Sequence, residues 1–222
     1  MRIILIIVVL ALSSQHSNDQ CDTKCVSKFG KVIGVNNNVE AYSNCNDGCI
    51  SKEFHFIDLP DKKKIFTGLK WQCVEYARRY LIISNNITFG DIDSAYQIYD
   101  LKQATSVYDP TKSFTFMGYP NGSKEPPKKN DLLIFKKTKD SPYGHVAVIT
   151  KVNLTERYIE ICEENNNQKW IDPKAYSRRI VIEEYKGGFY IRETEYFPYR
   201  LDSHIAESYS NVIGWKRVVT DN

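Results

Sequence analysis

The sequence has no apolar stretch long enough to span a bilayer, no marked excess of one charge and no internal repeat. A membrane-spanning helix takes about 20 apolar residues, whereas the longest apolar run here covers only residues 3–12. Thirty basic residues stand against 27 acidic ones, a formal charge of +3. That balance is too weak to argue for nucleic acid, and clusters such as Lys62-Lys63-Lys64 read as solvated faces. There is no low-complexity block, and histidine is scarce at four residues, so the choice of a catalytic base is short. What is present is an ordinary globular composition, 42% hydrophobic over 222 residues, enough for one sizeable core.

The N-terminus predicts export. Arg2 precedes the apolar run, small and polar residues follow, and Ala11-Leu12-Ser13 offers a cleavage position, the layout of a signal peptide over 1–16. A buried N-terminal strand is the alternative. A cysteine-rich segment, 17–52, and a main domain, 53–218, complete the expected organisation. Cys21, Cys25, Cys45 and Cys49 crowd the second segment. In an oxidising compartment they predict two disulfides with three possible pairings, while their spacing also allows a zinc site. Secretion, or residence in the lumen of the secretory pathway including a lysosome-like vacuole, favours disulfides; no metal or cofactor is expected. Asn86, Asn121 and Asn153 head Asn-x-Ser/Thr sequons, which are common by chance and weigh little.

Along the chain, 29–42 alternates around Asn36-Asn37-Asn38 and predicts a hairpin, and 60–64 reads as a polar linker. Apolar residues at 74, 77, 81 and 82 predict a helix over 71–84, with a weaker second helix over 92–104. The prolines and glycine of 119–129 predict a loop. Strands are expected at 132–136, 145–152, 158–162, 180–184, 189–192 and 212–217. A helix followed by such a run of strands is α+β order with an antiparallel sheet.

Cys73 sits at the start of the first predicted helix, where unpaired backbone N–H groups favour a thiolate. An inert buried cysteine is the competing reading of Cys73 alone. Among the histidines, His145 follows Gly144 and opens a strand, a position that can present a side chain into a cleft. The strands 145–152 and 158–163 flank Asn153-Leu154-Thr155. If they pair around Leu154, facing positions sum to about 308 and His145 meets Glu163; a slip of one residue would substitute Cys162 or Glu164. A carboxylate there orients an imidazole as in a catalytic triad. Cys162 then faces away and packs. The backbone N–H of Cys73 and the Gln72 side chain are the candidate oxyanion donors.

Residues 68–79 (GLKWQCVEYARR) resemble the nucleophile segment of CHAP-domain amidases of peptidase family C51, above all the amidase half of bifunctional glutathionylspermidine synthetase/amidases. YPNGS (119–123), GHVAVIT (144–150), CEEN (162–165) before Trp170 and VIGW (212–215) are similar in the same order. The resemblance starts near residue 29. It implies a papain-like (CHAP/NlpC-type) α+β single domain, with the nucleophile's helix packed on an antiparallel sheet, and amide hydrolysis through a thioester. It places the nucleophile on Cys73, the base on His145 and the orienting acid on Glu163, and it adds Arg78 and Asn165 as substrate-binding residues. The family usually has Glu-Gln-Asn where this sequence has Glu163-Glu164-Asn165, and the four N-terminal cysteines are not part of its pattern. No Gly-rich phosphate loop occurs, so the ligase activity of the bifunctional enzymes is not expected. The expected partner is a peptide or peptide-amide substrate, either a bacterial wall peptide or a glutathione–polyamine conjugate, with no nucleic acid, membrane or set oligomer implied. A secreted binding protein that kept the fold is the alternative.

Overall fold

The computed structural model describes residues 24–195 and 210–220; the expected signal peptide and Cys21 lie outside them. Thirteen strands and one α-helix are found among the described residues. A nine-stranded sheet runs in the order β12 (Gly188–Glu195), β11 (Arg178–Tyr185), β10 (Tyr158–Cys162), β9 (His145–Asn153), β8 (Leu132–Phe135), β13 (Val212–Val219), β7 (Ser113–Pro120), β6 (Gln103–Ser106), β5 (Ile87–Phe89). Every pairing in it is antiparallel. Two further ribbons stand apart, β1 (Val32–Asn36) with β2 (Val39–Tyr42), and β3 (Phe54–Asp58) with β4 (Lys64–Leu69).

The helix α1 (Cys73–Asn85) forms where the 3.6-residue period predicts it, and Asn86 stops it in the left-handed region at φ 57°, its N–H returning to the Ile82 and Leu81 carbonyls. The helix lies against one face of the sheet. Tyr76, Ala77 and Tyr80 join Leu132, Ile134, Val146, Val148 and Cys162 in one core. The alternate residues Leu133, Ala147, Ile149, Ile159 and Ile161 build a second core on the other face with Trp215. Strands buried on both faces read as continuous apolar runs, which is why β8 and β9 were legible. The β1–β2 ribbon closes the helix side: Ile33, Val39 and Ala41 belong to the core that holds Cys73.

Three expectations are corrected. The second helix over 92–104 is a 3-10 helix, Ala95–Asp100, followed by β6; this short element buries only Ala95 and Ile98. The polar segment 60–64 is the bend of the β3–β4 ribbon rather than a linker. The β9–β10 register also differs. Tyr158 faces Asn153 and, after a bulge between Glu160 and Ile161, Cys162 faces Val148. The turn is therefore centred between Thr155 and Glu156 rather than on Leu154, and Glu163 lies just past the end of β10.

One disulfide joins Cys25 to Cys45, and Cys49 is also disulfide-bonded. Sulfurs in disulfides are not thiolates, which removes the zinc alternative. Among the described residues no helix is long and apolar enough to cross a membrane, and the disulfide fits an oxidising, non-cytosolic setting. The Asn121 amide exchanges hydrogen bonds with the Ile191 backbone (2.7 and 3.0 Å), so this sequon side chain is committed to the fold.

Candidate active site

Cys73 is the first residue of α1 and is buried, 8% exposed. Burial alone would push its thiol up. The charge and hydrogen bond of His145 outweigh burial, together with N–H donation from Val146 and Val74, and the thiol falls below the ordinary cysteine value. The helix reaches this position because β4 leads into it at close range: Gly68, at φ +147°, lets the chain pass Glu75, whose Cα lies 3.0 Å from where a side chain would begin.

His145 opens β9 opposite Phe135, whose ring lies 5.6 Å from the imidazole. Gly144 before it adopts φ +65°, and a Cβ there would stand 2.6 Å from the Phe135 carbonyl oxygen, so only glycine delivers the chain to His145 by this path. Nε2 of His145 lies 2.8 Å from Oε2 of Glu163, which leaves Nδ1 for the sulfur of Cys73. Burial would lower the imidazole's pKa, but the Cys73 thiolate and the Glu163 carboxylate raise it to about 10. The three side chains form one continuous relay.

That contact survives the corrected register for a geometric reason. Beyond the bulge, facing positions sum to 310, so His145 stands two residues from the position facing Glu163. A displacement of two keeps both side chains on one face, whereas a displacement of one would have parted them. Diagonal neighbours remain within reach of long side chains.

Glu163 is 1% exposed and held from all sides. Arg178 grips it with a two-pronged fork, Nε to Oε1 at 2.6 Å and an Nη to Oε2 at 3.0 Å. Ser177 Oγ lies 3.0 Å from Oε1, the Asn166 amide donates to Oε2 at 3.3 Å, and Trp170 Nε1 donates to the Glu163 carbonyl at 3.0 Å. Burial raises a carboxyl pKa, yet Arg178 and then His145 hold this one far below its usual range. Arg178 was missed in the sequence. The available signal was that a buried carboxylate needs a cation, and β11 opens on Arg178-Arg179 beside β10.

Gln72 precedes the helix, and its side chain enters a ring of amides. Asn165 Nδ2 donates to Gln72 Oε1 at 2.8 Å; Gln72 Nε2 donates to the Cys49 carbonyl at 3.2 Å and reaches Asn44 Oδ1 at 3.4 Å. Asn165 is thus beside the nucleophile's neighbour. Arg78 is not brought to the site. Its guanidinium is 4% exposed and donates to the carbonyls of Thr67 and Gly90 and to Asp91, with Phe89 stacked on it. Five residues beyond Cys73, it leaves the helix on another side. Cys162 accepts no such company: burial pushes its thiol up to about 12, and it packs against Thr150 and the Ala175 carbonyl.

Glu164, the departure from the resemblance noted in the sequence, is fully buried beside Arg79 and Glu75. Arg79 binds both carboxylates, and the Tyr42 N–H donates to Glu164 at 2.7 Å. The extra acid is absorbed by the helix rather than added to the site.

A cysteine at a helix start, beside a histidine that contacts a buried carboxylate, is an arrangement that can support nucleophilic acyl transfer. Residues 64–165 match the CHAP domain family model, a family that implies hydrolase or amidase activity. The chain is similar to "Trypanothione synthetase" of Crithidia fasciculata, 29% identical over 161 residues that make up 72% of this chain and 23% of that protein. It is similar to "Bifunctional glutathionylspermidine synthetase/amidase" of Escherichia coli strain K12, 36% identical over 103 residues, 45% of this chain and 16% of that protein. It is also 27% identical over 123 residues to "Glutathionylspermidine synthase" of Crithidia fasciculata, 54% of this chain and 17% of that protein. The aligned part is thus less than a quarter of each of these relatives.

Proposed function

We propose that the chain is a secreted cysteine amidase or peptidase of papain-like design, with Cys73 as nucleophile, His145 as base and acid, and Glu163 as orienting carboxylate. The observation that carries this reading is the continuous contact from the lowered Cys73 thiol through His145 to Glu163. The Cys73 thiolate attacks the substrate carbonyl carbon, and the carbonyl π electrons move to oxygen. The first backbone N–H of α1 and the Gln72 amide stabilise that oxyanion. Imidazolium His145 gives its proton to the leaving amine as the C–N bond breaks, which leaves an acyl thioester on Cys73. Water then attacks the thioester, His145 takes its proton, and the free acid departs as the thiolate re-forms.

For the substrate, the names of the relatives favour the amide of a glutathione–polyamine conjugate, whereas the disulfide-stapled segment and the expected export favour a peptide met outside the cytosol, such as a wall peptide. The two are separated by assaying the purified protein on glutathionylspermidine and on peptidoglycan side by side. Turnover of one substrate at least tenfold above the other names the class; hydrolysis of neither supports a secreted binding protein instead. In the same preparation, iodoacetamide is expected to label Cys73 and leave Cys162 unmodified, because alkylation requires a thiolate and access. Peptide mapping that finds both cysteines labelled equally would overturn the nucleophile assignment.

A further inference from the structure

Outside the relay, the most organised polar cluster is the ring of amides beside Cys73, and half of it comes from a segment that the CHAP match does not reach. Asn44 is fully buried. Its Nδ2 donates to the Cys49 carbonyl at 2.6 Å and to Asn165 Oδ1 at 2.9 Å, and its Oδ1 receives Gln72 at 3.4 Å. Its own N–H donates to Gln168 Oε1 at 2.6 Å, and Gln168 in turn donates to Asp47 at 2.8 Å. The next residue, Cys45, is tied to Cys25, and Cys49 is disulfide-bonded as well. Asn44, Gln72 and Asn165 therefore close a three-membered cycle, and Asn44 stands directly before the disulfide-bonded Cys45.

A primary amide next to a nucleophile has two orientations related by a flip, and a buried one adopts the orientation its partners select. Here Asn165 donates to the oxygen of Gln72, so the nitrogen must face the Asn44 and Cys49 side. Asn44 in turn fixes Asn165, because its Nδ2 donates to Asn165 Oδ1 at 2.9 Å, so the orientations of all three amides are set together. We propose that Asn44, on its disulfide-stapled loop, is a positioning residue that aims the Gln72 amide at the oxyanion. This rests on the proposed function, and it assigns the cysteine-rich segment a part in turnover: the loop must stay oxidised for Gln72 to stay aimed.

The experiment compares two rates per titratable Cys73, so that misfolded protein drops out of both. Hydrolysis depends on an aimed oxyanion donor; iodoacetamide alkylation of Cys73 depends only on the thiolate–imidazolium pair. For Asn44→Ala, and for Asn44→Ser as a milder variant, kcat is expected to fall about 10-fold or more, short of the roughly 10²–10³-fold loss on removing an oxyanion donor outright, while the alkylation rate stays within about twofold. Cys25→Ser with Cys45→Ser is expected to behave the same way. In a Gln72→Ala background, Asn44→Ala should add no further loss. Unchanged kcat in both Asn44 variants, an equal loss in the Gln72→Ala background, or alkylation that slows in step with turnover would overturn the inference. Turnover that survives Cys73→Ala would instead remove the reading beneath it.

Discussion

Cys73→Ala is expected to abolish amide hydrolysis, with a loss on the order of 10⁴-fold or more, because the nucleophile of a relay that acts as a unit cannot be replaced by its partners. Fold should be retained, since alanine at the first turn of α1 keeps the helix and removes only one sulfur atom. Circular dichroism with a sensitive hydrolysis assay checks both halves, and more than about one-hundredth of wild-type activity would sink the assignment. The wild-type pH profile carries a second signature. Below the lowered Cys73 value the thiolate gains a proton, and both alkylation and turnover fall. Above about 10 the imidazolium of His145 is lost; turnover then falls because the leaving amine has no acid, but alkylation continues because the thiolate remains. At pH 7 Cys73 should react well ahead of a free thiol of pKa about 8.5.

The second large effect concerns stability. Arg79→Met is expected to cost about 3–5 kcal/mol, since it leaves the fully buried Glu75 carboxylate without its guanidinium and takes a hydrogen bond from Glu164. Glu164→Gln should do the opposite of what its charge change suggests. Burial, reinforced by the neighbouring Glu75 carboxylate, raises Glu164 well above the usual carboxyl range, and it shares a hydrogen bond with Glu75, so its neutral form is the one that fits. Glutamine keeps the oxygen that accepts from Tyr42 and Arg79, and its N–H replaces the shared proton. A raised folded pKa means that the native state increasingly disfavours the group as pH climbs above its unfolded value of about 4.3. The advantage of Glu164→Gln should therefore be small at pH 4 and grow toward pH 8. Urea unfolding of both variants at these two pH values tests this; a stable Arg79→Met, or a Glu164→Gln penalty that deepens with pH, would refute the account.

Glu164 also shows where sequence reasoning reached its limit. Read in line, it is an extra charge next to the orienting acid. In the fold, its neighbour Glu163 turns to His145 and Arg178, while Glu164 turns to Arg79 and the β2 backbone. Successive residues near a strand end project to opposite sides, and only the packing of α1 and the β1–β2 ribbon decides what each side contains. The strand β13 is a second instance. Its 212–217 segment was legible as a strand, but its place between β8 and β7 depends on pairing across some 80 to 100 residues, which no local pattern records.

The sequence by itself determined the elements whose periodicity is strong and the residues whose chemistry is unusual for their position. The helix that begins at Cys73, the strand that His145 opens after a glycine, and the paired β9 and β10 follow from spacing alone. Tertiary structure decided which side chains surround them. It moved the β9–β10 register yet kept His145 and Glu163 on one face, took Arg78 away from the nucleophile, and set Arg178 on the acid and Asn44 on Gln72. The physical reason is common to all four: a buried polar group must find partners, and those partners come from whichever distant strands and loops the core brings beside it.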